Sequence, residues 1–183
     1  AMNLQMKRIN RALLIGWGVF VILLFVMYGV EVIMGNRSIP YMVIFSAVTV
    51  IPALLMWANY RKKPESEILK YNIVAGFMLM YAFVLFTANT PLVFTYILPM
   101  LSLLVLYHNP KLISICGIVT LFLNGAEVLY RYRRGDFPDL WDKDIRIQIM
   151  VLILCFVALY FATVIYDSIY RNNQTYNDEI NIQ

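Results

Sequence analysis

The chain has 183 residues, is 61% hydrophobic and 14% charged, and carries a formal net charge of +4. Its mean hydropathy is +0.69. A water-soluble domain holds about 45–50% apolar and about 25% charged residues, so a soluble globular fold is excluded. At about 20 residues per membrane-crossing helix, this length accommodates roughly six spans and no separate soluble domain.

Apolar runs long enough to cross a bilayer lie at about 12–34, 41–60, 71–88, 91–107, 112–130 and 145–170. The first is too long for a signal-peptide core, so it reads as a retained span. The runs are continuous and lack the alternation of barrel strands. Backbone groups in lipid need internal partners, which leaves helices. The sequence therefore predicts an all-α membrane protein, a bundle of six transmembrane helices occupying residues 1–170.

The third and fourth runs have to be separated. Val74 to Tyr107 carries no formal charge. As one helix, its 34 residues would reach about 51 Å, against a hydrocarbon core of about 30 Å. Asn89-Thr90-Pro91 supplies the turn, since Asn tolerates turn geometry and Pro suits a first helical turn. Pro52 and Pro99 stand inside the second and fourth runs, where each removes a backbone donor.

Lys and Arg set the orientation. Lys7, Arg8 and Arg11 precede the first run; Arg61, Lys62, Lys63 and Lys70 follow the second; Lys111 follows the fourth and Arg171 the sixth. Both termini are predicted to be cytoplasmic. One stretch runs against this, "YRYRRGDFPDLWDKDIR" at 130–146, although Asp136, Asp139, Asp142 and Asp144 nearly balance its cations. Phe137, Pro138 and Trp141 would let it lie along the outer membrane surface as an amphipathic lid. Tyr41, Tyr60, Tyr71, Tyr107, Tyr130 and Tyr170 fall near run ends, as an interfacial belt requires.

Ionisable residues inside spans are costly and mark candidate sites. Glu31 and Glu127 lie near the outer ends of the first and fifth runs, and Asn124 sits one turn below Glu127 on the same face. Asn89 and Thr90 form the outer turn, with Thr95, Tyr28, Tyr81 and Tyr96 in the outer halves. These nine residues are the predicted ligand-binding set, lining an outward-facing pocket for a polar or cationic small molecule with tyrosine faces adding cation–π contacts. The competing reading has Glu31 paired with Arg37, and Glu127 with Arg131 four residues on, as end-of-helix ion pairs.

Ser46, Thr49, Ser102, Ser114, Thr120 and Thr163 are isolated hydroxyls expected to bond the preceding turn. Cys116 and Cys155 match no metal or redox spacing and read as small apolar residues. His108, the single histidine, stands in "YHNPK" and reads as a solvated turn residue. No enzyme motif is present, and neither a metal nor a cofactor is expected.

The tail "YDSIYRNNQTYNDEINIQ" leaves the sixth run without an early Pro or Gly. Ile169, Tyr176, Ile180 and Ile182 have partial helical spacing. Residues 171–183 are predicted to begin a cytoplasmic signalling helix, cut from a longer protein, with Asp167 and Tyr170 at the relay point.

The stretches "INRALLIGWGVFVILLFVMYGVEVIMGNRS" and "NYRKKPESEILKYNIVAGFMLMYAFVLFTANTPLVFTYILPMLSLLVLYHNPKL", with the exit helix after Tyr166, carry a resemblance. The layout resembles the N-terminal six-span sensory region of methyl-accepting chemotaxis proteins and related signal transducers of Firmicutes. The resemblance implies a receptor in the plasma membrane that binds a small molecule and acts as a homodimer. Its sixth helix would drive a cytoplasmic output module and that module's kinase partners, with no nucleic acid involved. A small transporter or channel is the alternative, and the sparse polarity at the midplane weighs against it. A membrane enzyme is disfavoured by the lack of nucleophile–base pairs.

Overall fold

The computed structural model describes residues 2–88, 90–136 and 142–182. Among them the chain is helical, without strands. The helices are α1 (Met2–Ile33), α2 (Ile39–Lys62), α3 (Ile68–Thr87), α4 (Ile97–Leu104), α5 (Pro110–Arg134) and α6 (Lys143–Ile182), with 3-10 helix at Pro91–Tyr96 and Val105–Tyr107. Five helical stretches are long and apolar enough to cross a membrane: Gln5–Ile33, Ile39–Lys62, Ile68–Thr87, Pro110–Arg134 and Lys143–Asn173. Large apolar side chains are exposed along all five, among them Ile22, Leu54, Leu79, Phe122 and Leu154. Apolar surface of this extent suits contact with lipid.

The fourth expected span differs from a single α-helix. Its α-helical part covers only Ile97–Leu104, flanked by the two 3-10 stretches. Pro99 explains the start. Proline has no N–H to donate, and here it stands in the first turn of α4, where no intrahelical donor is needed.

The chain divides into two units, residues 1–93 and 94–183. In the first, α1, α2 and α3 pack against one another. Near the start of α1, the buried Asn10 donates from Nδ2 to the carbonyls of Pro64 (2.9 Å) and Ser66 (3.2 Å), tying the helix to the α2–α3 loop. In the middle, the Trp17 ring fills the space left by Gly76. A Cβ at that glycine would stand 2.6 Å from the indole and 3.2 Å from Pro52. Toward the end of α1, Phe25 and Tyr28 meet Phe45 at ring-centre distances of 5.2 and 4.9 Å.

The second unit contains α4, α5 and α6. Asn109 caps α5, its Oδ1 accepting from the Leu112 amide at 3.1 Å, with Pro110 at the first helical position. Helices α5 and α6 form an antiparallel hairpin, because partners step along the two helices in opposite directions. Asn124 meets Gln148, and two turns earlier on α5 Gly117 abuts Phe156, whose ring a Cβ would approach to 2.7 Å.

Two helix ends close alike. Gly35 (φ +78°) and Gly135 (φ +82°) adopt the left-handed conformation, which costs glycine nothing. Behind each, the chain satisfies the last carbonyls through paired returning amides. Gly35 and Asn36 donate to Val32 and Glu31; Gly135 and Asp136 donate to Tyr132 and Arg131.

The expected back-bonding of hydroxyls is present at Ser46, Thr49, Ser102, Ser114 and Thr163, each donating to the carbonyl four residues earlier at 2.7–3.0 Å. Cys116 and Cys155 are free thiols. His108 stands in the turn, as expected, and is half-buried. It takes a left-handed conformation (φ 50°) and lies against α6, its ring 6.1 Å from Tyr166 and 5.1 Å from Tyr170. The expected lid residues Phe137, Pro138 and Trp141 lie outside the described residues.

Candidate functional site

The most concentrated polar structure is the α5–α6 seam. Within apolar helices, Asn124, Glu127 and Gln148 are 1%, 3% and 3% exposed. Lone groups of this kind are costly in a dry interior, so their partners carry the meaning. Asn124 donates from Nδ2 to the Thr120 carbonyl at 2.8 Å. Gln148 donates from Nε2 to Asn124 Oδ1 at 2.8 Å, and its side chain also bonds the Glu127 carboxylate. Glu127 is paired with the Arg131 guanidinium four residues on. A continuous ladder results, from Arg131 through Glu127, Gln148 and Asn124 to the backbone at Thr120, about 16 Å along α5 at ~1.5 Å per residue.

Local sequence explains the α5 side of the ladder. Residues 120, 124, 127 and 131 recur at helical spacing and share one face. Gln148 comes from the other helix and converts that face into an interhelical connection. The expected pairing of Glu127 with Arg131 forms. A sequence reading that nominates Asn124 and Glu127 passes over Gln148. Its one signal was an amide at the edge of an otherwise apolar run.

The pairing of Glu31 with Arg37 does not form. The turn at Gly35 carries the chain away from the axis of α1, and Arg37 lies over aromatic faces instead. Its guanidinium carbon is 4.4 Å from the Tyr41 ring centre and 6.0 Å from that of Tyr28. Around it, Tyr28 and Tyr41 are 5.6 Å apart, and Tyr41 stacks on Phe83 at 5.5 Å. The Tyr41 hydroxyl meets Thr87 Oγ1 at 3.1 Å, and Thr87 in turn donates to the Phe83 carbonyl. This aromatic cluster joins α1, α2 and α3.

The nine candidate residues fall into two sets. Tyr28, Glu31, Tyr81 and Thr90 belong to the first unit. Tyr28 and Tyr81 are buried, Glu31 is half-buried and Thr90 is exposed. Thr95, Tyr96, Asn124 and Glu127 belong to the second, where Thr95 and Tyr96 are half-buried. Asn89 lies outside the described residues. The structure brings Asn124 and Glu127 together through Gln148. It places Tyr28 in the aromatic cluster.

At the other end of α6, Asp167 Oδ2 accepts from Arg171 Nε at 3.0 Å, and Tyr170 contacts His108. Three cavities, of about 330, 260 and 310 Å³, are lined by residues other than the nine. Among the described residues no cluster of His, Cys, Asp and Glu is suited to a metal ion. Comparison with family models, with curated proteins and with solved structures finds no match to this chain.

Proposed function

We propose that the chain is the membrane-embedded sensory region of a bacterial signal transducer of the chemotaxis-receptor type. The observation that carries this reading is the length of α6. It runs unbroken for 40 residues, about 60 Å at ~1.5 Å per residue, twice the hydrocarbon thickness of about 30 Å. Gln148 to Asp167 alone accounts for about 28 Å. A helix whose first turns hold the polar seam and whose last turns lie beyond the bilayer is built to transmit position across it.

In this reading the protein sits in the plasma membrane with six spans and both termini in the cytoplasm. The fourth span is the segment Pro91–Tyr107. Nine 3-10 residues and eight α residues, at about 2.0 and 1.5 Å each, reach about 30 Å. A regular α-helix of that length would reach about 26 Å. The 3-10 stretches thus bring a short segment up to membrane thickness.

A small polar or cationic ligand acts on the outer half of the bundle, and Glu127 and Asn124 are its point of action in the second unit. Ligand binding favours one arrangement of the α5–α6 seam over another, which is the physical requirement for any induced change. A coupling of about 1–3 kcal/mol, roughly 5–150-fold, suffices to bias α6 at Asp167 and Tyr170. The output module and its kinase, in a homodimer, read that bias.

The test joins α6 in register to a histidine-kinase output module and measures autophosphorylation in membrane vesicles. Glu127→Gln and Gln148→Leu are expected to change basal output several-fold at unchanged membrane levels. Output identical to the parent in both variants would remove the proposal.

A further inference from the structure

A second site stands at the opposite end of the first unit from the aromatic cluster. A groove of about 310 Å³ opens between α1 and α2, lined by Arg11, Leu14, Ile15, Trp57 and Tyr60. Its volume is at the lower end of small-ligand sites, about 300–1,000 Å³. Arg11 is part of that lining; Arg61 is not, but lies over the ring of Trp57, a lining residue, with its guanidinium carbon 4.9 Å from the centre. Among the described residues neither is ion-paired to a carboxylate. The nearest acids in sequence, Glu65 and Glu67, belong to the α2–α3 loop, and Glu67 is held by Lys70 at 3.3 Å.

We propose that this groove binds an anionic glycerophospholipid, with its phosphate on Arg11 and Arg61 and an acyl chain along Leu14 and Ile15. Three observations select that occupant. Arg11 in the lining and Arg61 on the Trp57 ring are guanidinium groups without a carboxylate partner among the described residues, and their planar forks match phosphate oxygens. The middle is aromatic, and Trp57 and Tyr60 are the side chains that settle at headgroup depth. The remaining wall is aliphatic and open, with Ile15 56% exposed. A free anion would use only the first of these features. A zwitterionic lipid would set its own ammonium against the two arginines. The basic stretch Arg61-Lys62-Lys63 adds a general attraction for anionic lipid surfaces, and the groove turns that attraction into a defined seat.

The experiment reconstitutes the chain, in a Trp141→Phe background, into phosphatidylcholine vesicles containing a minor fraction of brominated lipid. The readout is the emission lost to bromine that disappears in Trp57→Phe, taken as a ratio between brominated phosphatidylglycerol and brominated phosphatidylcholine. The ratio is normalised within each variant, so the loss of the Arg61 ring contact does not distort it. The parent chain and Lys62→Gln/Lys63→Gln are expected to keep a strong preference for phosphatidylglycerol. Arg11→Gln/Arg61→Gln is expected to lose that preference by roughly tenfold or more. A parent ratio of one, or an equal fall in both double variants, would reduce the effect to diffuse surface charge and overturn the proposal.

Discussion

Arg131→Met is the most informative single perturbation of the α5–α6 seam. Glu127 is 3% exposed and the Arg131 side chain 12%, so this ion pair is effectively dry. The same spacing on an exposed helix contributes about 0.3–0.5 kcal/mol. In a buried pair, removing one partner leaves an uncompensated charge and costs about 3–5 kcal/mol. Gln148 still bonds the carboxylate in the variant, a charge-assisted contact of about 1.5–3 kcal/mol, which places the expected loss near the lower limit, about 3 kcal/mol. Pairing the change with Glu127→Gln removes the buried charge and keeps a polar group facing Gln148. The double variant is therefore expected to recover to within about 1 kcal/mol of the parent. Reversible unfolding in mixed micelles titrated with a denaturing detergent measures both. A single variant within about 0.5 kcal/mol of the parent, or a double variant no better than the single, would refute the buried-pair argument.

Other outcomes follow from packing and hydrogen bonding. Gly117→Val forces a side chain into the Phe156 ring and is expected to cost about 1–3 kcal/mol, read as weaker protection of α5 and α6 amides in hydrogen exchange; unchanged protection would contradict the close approach. Asn10→Leu removes the Nδ2 donor from the Pro64 carbonyl and leaves the Ser66 carbonyl only the Leu69 amide at 3.3 Å, at about 1–3 kcal/mol. Limited proteolysis between residues 61 and 68 should quicken, and an unchanged cleavage rate would mean that α1 does not hold this loop.

The apolar runs were readable because lipid-crossing helices announce themselves by the absence of charge. That the run must break was readable from length, and turn chemistry pointed to the interval in which α3 ends at Thr87 and the next helical stretch begins at Pro91. Helix ends were less so. Helix α1 begins at Met2 rather than near residue 12, and α2 continues to Lys62 rather than Tyr60, because hydropathy marks the greasy part of a helix and not where its backbone hydrogen bonds stop. The 3-10 character around α4 was hidden, since Pro91 read as the first turn of the fourth helix and Pro99 as an interruption inside it, and neither reading distinguishes 3-10 from α geometry.

The same division holds for the polar residues. Glu127 and Arg131 were legible as a pair because four residues on one helix fix their geometry. Glu31 and Arg37 straddle the left-handed turn at Gly35, so their separation in sequence says nothing about their separation in space. Gln148 in the seam and Asn10 in the α1 tie were not singled out because their partners come from other elements. The cation–π seat of Arg37 on Tyr41 and Tyr28 needs three chain segments to exist at all.

The central claim is that the α5–α6 seam sets the position of the exit end of α6. Pulsed electron paramagnetic resonance between spin labels at Ser114 and Asn172, both exposed, tests it in lipid, with Cys116 and Cys155 replaced by alanine. Gln148→Leu is expected to move the mean distance by about 1–2 Å or to add a second population, the scale of helix shifts in switching proteins. Superimposable distance distributions in parent and variant would contradict the claim.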